Sequence, residues 1–221
     1  MCVRAKTLHK RVMEDKFSGL NKLQVDALRE ISSIGAGNAA TALSQFVNRT
    51  IKMNPPEVCE VTAQTTRRFV GKDVSQIMMV ALGVIGEAHG HILFVFERKS
   101  ALDFMRLLMG KEEAELSEMD ISALKEVSSV MCGSFLRVLS DTLNTVLQMT
   151  PPTFISGQPE EISDFIRTHS VEQRQQTVCL ASQLIIEESG NIIMQLMFVP
   201  QASSLNCLLK LLGMDDNKAL N

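Results

Sequence analysis

With 221 residues, of which 45% are apolar and 21% charged, the chain has the size and composition of a folded globular protein. A net charge of −3 and the absence of Trp and Tyr argue against nucleic-acid binding, which needs a basic surface and usually aromatic stacking platforms. The longest apolar stretch is too short to span a membrane, the N-terminus has no secretory signal, and five cysteines are scattered outside any Cys-x-x-Cys pair, so a cytoplasmic protein with free thiols is expected.

The first half of the chain predicts a helix, a group of strands and a second helix. Residues 1–20 are polar and mildly basic, and we expect a flexible lead-in there. Apolar residues recur at helical spacing over about 23–48, and the Pro55-Pro56 pair then ends any helix because proline has no amide hydrogen to donate. Residues 57–98 are rich in strand-forming residues, and 99–109 return to a helical pattern.

The second half repeats this order. Its predicted elements are an acidic linker at 111–119, a helix at about 120–144, a break at Pro151-Pro152, a loop at 156–172, strands at 177–186 and 191–199, and a helix at 202–212. Two halves with the same order of elements indicate an internally duplicated chain.

A direct sequence repeat supports the duplication. Asp26–Val58 aligns without a gap with Ser122–Phe154, 96 positions later, and 12 of the 33 aligned residues are identical. We therefore predict an α+β fold in which two helix-strand-helix halves share one antiparallel-type sheet about a pseudo-two-fold axis, with both motif helices on one face. The expected organisation is a single domain over 21–215, made of repeats at about 23–115 and 119–213, with a tail at 216–221.

The repeated helices carry a polar face. Asp26, Glu30, Ser33 and Gly37 are spaced i, i+4, i+7 and i+11, which places them on one side of a helix. Their counterparts are Ser122, Glu126, Ser129 and Gly133. A face of this kind is commonly just solvated, but its retention in both copies supports binding or catalysis equally well, and the residues alone leave both interpretations open. A helical glycine costs about 1 kcal/mol relative to alanine, and close packing of another helix or of a partner's backbone would explain the shared Gly37 and Gly133.

Two other kinds of site, a phosphate-binding loop and a metal site, have weaker support. Gly35 and Gly37 do not form a phosphate-binding loop, because no strand precedes them and their spacing differs from G-x-G-x-x-G. Glu87, His89 and His91 alternate and would share one face of a strand, where a metal site is conceivable but a solvated surface is favoured. No metal site and no cofactor of the protein's own is therefore predicted.

The segment from Leu28 to Ser44 (LREISSIGAGNAATALS) and its second copy resemble the CheC family of chemotaxis proteins, which are related to CheX and FliY. The family motif is [Asp/Ser]-x3-Glu-x2-Asn-x22-Pro on a long helix. The first copy matches it at Asp26, Glu30 and Pro56, and its Asn position is Ser33. The second copy has Ser122, Glu126, Ser129 and Pro152 at the same motif positions.

The resemblance implies dephosphorylation of the aspartyl phosphate of a CheY-type response regulator. The glutamates Glu30 and Glu126 would pair with a lysine of the regulator, and the Asn position would hold a water in line with phosphorus. The regulator would supply its own Mg²⁺. Ser33 and Ser129 end about one bond length short of an Asn carboxamide, so the resemblance implies a phosphatase that is weakened at both sites.

Two alternatives remain open at this point. The chain could be a non-catalytic module that binds phosphorylated regulator, or the receptor deamidase CheD, or both. It could also be a flagellar-switch protein like FliY, although the chain stops at Asn221 without the additional switch domain of FliY. Neither nucleic acid nor membrane insertion is expected in any of the three cases.

Overall fold

The computed structural model describes residues 20–70, 76–110, 114–170, 178–187 and 191–214. The predicted lead-in, apart from residue 20, and the predicted tail lie outside these ranges. The helices are α1 (Lys22–Val47), α2 (Ala63–Val70), α3 (Arg98–Met109), α4 (Glu118–Leu143), α5 (Pro159–Ser170) and α6 (Ala202–Leu211). The strands are β1 (Ile51–Met53), β2 (Glu57–Glu60), β3 (Ile77–Gly86), β4 (Gly90–Glu97), β5 (Leu147–Met149), β6 (Thr153–Gly157), β7 (Val178–Ile186) and β8 (Ile192–Pro200).

Helix α1 begins and ends where its sequence provides caps. The Asn21 side chain accepts a hydrogen bond from the Gln24 amide at 2.9 Å, and Gln24 Oε1 accepts one from the Asn21 amide at 2.9 Å. These two bonds form a capping box, which satisfies amides that have no partner inside the helix. At the other end, Asn48 adopts a left-handed conformation with φ of 51°, a role that asparagine tolerates better than most residues.

Helix α4 is built in the same way and has the same length of 26 residues. Ser117 and Asp120 form its capping box, and the C-terminal cap is Asn144, with φ of 49°. The two motif helices are therefore held at both ends by equivalent local interactions, so their first and last turns lie at matching places in the two halves.

The eight strands form one antiparallel sheet in the order β1-β7-β8-β4-β3-β5, with β2 also on β7 and β6 also on β3. The predicted α+β fold with a shared antiparallel sheet is confirmed. Each half contributes a central hairpin, and β4 and β8 pair at the middle of the sheet, where Leu93 lies opposite Met197. The short strands pair with the opposite half: β1 and β2 pair with β7, and β5 and β6 pair with β3.

The register of these inter-half pairs is unchanged when the halves are exchanged. Each residue of β1 or β2 has its counterpart 96 positions later, on β5 or β6. Their pairing partners, on β7 and β3 respectively, are 100 positions apart. The pairs are Ile51 with Ile186 and Val58 with Leu180 on one side, and Leu147 with Gly86 and Phe154 with Val80 on the other. The pairing thus has the pseudo-two-fold form expected from the repeat, whereas an origin by duplication stays a prediction.

Alternate residues of each central strand face two different cores. In β3, Met78, Val80 and Leu82 belong to the larger core, which contains residues of α1, α3, α4 and α6. The intervening Ile77 and Met79 belong to a smaller core that contains residues of α5, with Phe69 of α2 packed against it. Both motif helices therefore lie on the same face of the sheet.

Two predicted segments were assigned wrongly. Residues 63–70 form helix α2 inside a region expected to be strand, where Thr62 and Thr65 cap the first turn with reciprocal backbone bonds of 2.8 and 3.1 Å. Residues 159–170 form helix α5 inside a predicted loop. Its anchors are the buried Ile162 and Ile166 at helical spacing, but a signal of two apolar residues is too short to identify from periodicity alone.

Candidate functional site

The polar face predicted on α1 is present and faces solvent. Asp26 and Glu30 are exposed, and Ser33 and Gly37 are half-buried. At 100° per residue, all of them lie within about 60° of the direction of Glu30 around the helix axis. The helix buries its opposite side in the larger core, with Leu28 among the buried residues at 0% exposure. The face is therefore accessible along about three turns of helix.

The second face, on α4, repeats the first. Ser122 and Glu126 are exposed, and Ser129 and Gly133 are half-buried. Each of these residues has the same burial class as its counterpart 96 positions earlier. Two equivalent polar faces consequently lie on two helices that pack against the same side of the sheet.

The carboxylates at the centres of the two faces are free to bind a partner. Within the described residues, neither Glu30 nor Glu126 makes a hydrogen bond or an ion pair. Asp26 differs, because Arg29 Nη1 lies 3.4 Å from its Oδ1. An exposed pair of this kind contributes little to stability. The glutamates thus remain available for an incoming cation, whereas Asp26 is already partly neutralised by its own helix.

The two serines differ in their hydrogen bonds. Ser129 donates its hydroxyl to the Lys125 carbonyl oxygen at 2.8 Å, one turn earlier in the same helix. Its oxygen lone pairs remain able to accept a hydrogen bond from outside. Among the described residues, Ser33 has no hydrogen-bond partner, so its hydroxyl can still donate as well as accept.

The glycine expectation needs a correction. A Cβ added to Gly37 or to Gly133 would meet no atom within 4 Å, so no helix among the described residues packs against either position. The close helix contact occurs at Gly35, where a Cβ would lie 2.7 Å from Phe135 Cε2 and 2.8 Å from Leu139 Cδ1 of α4. Close approach by a partner's backbone is then the remaining explanation for the glycine shared by both copies.

The motif prolines lie at equivalent turns, between the paired short strands of each half. Pro56 follows β1 and is buried, and Pro152 follows β5 and is half-buried. The 22 residues between each motif serine and its proline contain the C-terminal part of the motif helix, the turn that follows it, the three-residue strand and the two residues after that strand.

One feature of the site was missed by the motif comparison. Leu23 on α1 is 70% exposed and Ile34 is 40% exposed, and both lie on the side of the helix that carries Glu30. On α4 the residues at the same two positions, Met119 and Val130, are 61% and 37% exposed. The sequence signal was available, because both positions stay apolar in the two copies although neither is required for the core.

The metal alternative finds no geometric support. Glu87 and His89 lie in the turn between β3 and β4, not on a strand, so they do not share a strand face with His91. No group of three histidine, cysteine, aspartate or glutamate side chains is placed to hold a metal ion anywhere in the described part of the chain. In the same residues, no helix combines the length and the apolar character that crossing a bilayer requires.

Comparison with known proteins connects this geometry to a family. The family model "Chemotaxis phosphatase CheX" matches residues 78–176, and the "CheC-like family" model matches residues 23–60, which contain the first motif face. The protein "CheY-P phosphatase CheC" of Bacillus subtilis is 31% identical over 140 residues, which are 61% of this chain. The chain spans 66% of the length of that relative.

Solved structures share the fold. The crystal structure of Thermotoga maritima FliY aligns with a TM-score of 0.67 at 20% identity, over 88% of this chain and 98% of that chain. A CheX-CheY-BeF3-Mg complex from Borrelia burgdorferi aligns with a TM-score of 0.54 at 18% identity, over 80% of this chain and 99% of that chain. The two family-model matches and the B. subtilis relative, together with this shared fold, show that the chain belongs to the CheC/CheX/FliY superfamily of chemotaxis proteins.

Proposed function

We propose that this protein dephosphorylates the aspartyl phosphate of a CheY-type response regulator by orienting the attacking water. The observation that carries the proposal is the repeated site: each motif helix presents a free glutamate to solvent and a serine three residues later on the same side. Support also comes from the B. subtilis relative, which is named a CheY-P phosphatase.

The glutamates act in docking. Glu30 or Glu126 pairs with a lysine of the regulator and thereby places the helix across the regulator's phosphorylation site. No metal of this chain takes part, because the Mg²⁺ belongs to the regulator and neutralises the charge on the transferred phosphoryl group. What the chain contributes is positioning, which in phosphoryl transfer accounts for catalysis together with electrostatic stabilisation of the transferred group.

The serines orient the water. A water whose oxygen attacks phosphorus directs its hydrogens away from phosphorus, and an acceptor on the helix fixes that orientation. The lone pairs of Ser129 can serve, because its hydroxyl hydrogen is bonded to its own helix. A serine oxygen lies about one bond length closer to the backbone than an asparagine carboxamide, and a displacement of about 1 Å can cost on the order of 100-fold in rate. We therefore expect slow hydrolysis at both sites.

The test measures loss of phosphate from a phosphorylated CheY-type regulator of the same organism. We expect the wild type to accelerate it, and Ser33→Asn or Ser129→Asn to increase that acceleration by up to about 100-fold. The matched control is Thr142→Asn, which changes an exposed hydroxyl to a carboxamide on the opposite side of α4 from Glu126 and should leave the rate unchanged. No acceleration by the wild type or by either variant would exclude the phosphatase.

A binding module is the second candidate, and the loss of Asn at both sites favours it. In that case the free glutamates hold phosphorylated regulator while the serines are too short to act. The same assay separates the two: a pull-down of phosphorylated regulator without accelerated phosphate loss supports the module. A pull-down of CheD without regulator would instead support the deamidase as the partner.

A further inference from the structure

Large apolar side chains are exposed on the two motif faces at matching positions. Ten large apolar side chains are exposed within the described residues, and four of them lie on these faces. They are Leu23 and Ile34 on α1, and Met119 and Val130 on α4. Scattered exposed apolar residues are normal. Exposure of the same two positions on both helices is not scatter of this kind. The two helices have different surroundings, so either position could have been buried or polar on one of them.

The two apolar residues of each helix enclose the free glutamate. Leu23 precedes Glu30 by seven residues and Ile34 follows it by four, so at 1.5 Å per residue the three side chains span about 16 Å along the axis. Their directions around the axis differ by at most about 40°. We call Leu23, Ile34, Met119 and Val130 the apolar bracket. It forms, with the glutamates, a stripe in which a carboxylate lies between two hydrocarbon groups.

An exposed carboxylate alone is a poor anchor. Surface ion pairs contribute little because water and salt screen them. A stable protein interface has an apolar centre that excludes water, and charged pairs within it are correspondingly stronger. The apolar bracket is placed to supply that apolar area on both sides of Glu30 and Glu126. The matching partner surface is a basic side chain that emerges between apolar side chains.

We propose that the apolar bracket is the part of the docking surface that determines affinity for the response regulator, with the glutamates setting its orientation. This rests on the proposed function, since the regulator is the occupant to which we commit. Charge complementarity argues for the regulator as the occupant, because the proposed function pairs each glutamate with a lysine of the regulator. Both glutamates are free within the described residues, and each lies between two residues of the apolar bracket. A second copy of this chain would instead bring like charges of the same stripe together, which disfavours self-association through this face.

The test compares binding of the same organism's CheY-type regulator, activated with beryllofluoride and Mg²⁺, by isothermal titration calorimetry. The test variant carries Leu23→Ser, Ile34→Ser, Met119→Ser and Val130→Ser. The matched control is Phe46→Ser, because Phe46 is 49% exposed on the same helix but points about 160° away from Glu30. All four replaced side chains are exposed, so the variant should fold, and its melting temperature verifies this.

We expect the fourfold variant to bind at least about 10-fold more weakly than the wild type, with the control unchanged. If the wild type binds and the folded variant binds equally well, the apolar bracket is refuted while the proposed function stands. If the wild type does not bind regulator, the proposed function and this inference both fail. A wild-type dimer in light scattering that the fourfold variant abolishes would show that a second copy occupies the face, which also refutes the inference.

Discussion

Replacing Gly35 by alanine should destabilise the protein, although the change favours helix formation elsewhere. The added Cβ would lie 2.7 and 2.8 Å from Phe135 ring carbons and 2.8 Å from Leu139 Cδ1, well inside contact distance. Phe135 is 0% and Leu139 is 1% exposed, so neither side chain can move into solvent. Overpacking of a filled core costs about 1–3 kcal/mol, whereas alanine gains only about 1 kcal/mol over glycine in a helix.

Gly37→Ala is the matched variant, two residues later on the same helix. Its Cβ would meet nothing within 4 Å, so only the helix-forming gain remains and the free energy of unfolding should rise by about 0.5–1 kcal/mol. The difference between the two variants isolates the steric cost, about 1–3 kcal/mol. Urea unfolding with an unchanged m-value measures it. A Gly35→Ala protein as stable as Gly37→Ala would contradict the packing of α1 on α4.

Gly37→Ala also tests whether a partner's backbone approaches Gly37 closely. If a regulator's backbone approaches this position closely, Gly37→Ala should make the protein more stable yet weaken regulator binding. The combination is diagnostic, because loss of folding would lower both quantities together. Equal binding by wild type and Gly37→Ala would leave Gly37 without a role in docking.

Three further outcomes are expected. Burial raises the pKa of the Cys132 thiol from 9.0 to about 12. The neutral buried thiol therefore contributes fully to the stability of the folded protein below pH 9, and this contribution is lost as the pH rises toward 12. Between pH 8 and 10 the free energy of unfolding of the wild type should fall by about 1.4 kcal/mol more than that of Cys132→Ala, and equal falls would contradict this. Cys59 and Cys179 lie buried with their Sγ atoms 2.9 Å apart, and the hydrogen bond with Cys59 and burial raise the pKa of Cys179. Among the four cysteines that the structure describes, iodoacetamide on the native protein should therefore label the half-buried Cys207 first and leave Cys59 and Cys179 unmodified, as peptide mass spectrometry can check. The double variant Glu30→Gln and Glu126→Gln should weaken regulator binding most at low salt, and loss of the same size at high salt would exclude a screened ion pair.

The long elements could be predicted because each carries its signal locally. The motif helices have many turns of apolar spacing, and the repeat doubles that signal, so their faces and their polar residues were placed correctly. Glu30 and Glu126 are exposed as expected, and the buried Leu28 and Leu124 lie on the opposite side. A local periodicity of this length is not easily overridden by tertiary contacts.

The short elements could not be predicted, because their stability comes from the tertiary structure. Helix α2 has eight residues, and its buried Thr66 hydroxyl lies 2.9 Å from that of Ser163 on α5, a contact 97 residues away in sequence. Strands β1 and β5 have three residues each and exist by pairing with the opposite half. The sequence on either side of these short elements does not contain the distant residues with which they pair, so local patterns cannot reveal them.

The site itself shows what a repeat can and cannot establish. Identity of Ser33 with Ser129 first suggests that serine is required, yet the CheC family motif has Asn at that position. The structure separates two features of the repeat: the glutamates and the apolar bracket are exposed alike on both helices, as the proposed docking requires. The serines differ, because Ser129 is bonded to its own helix and Ser33 has no hydrogen bond among the described residues. Docking should therefore be equivalent in the two halves. Any residual hydrolysis should differ between them, and a single-site comparison of Ser33→Ala with Ser129→Ala would reveal which hydroxyl is used.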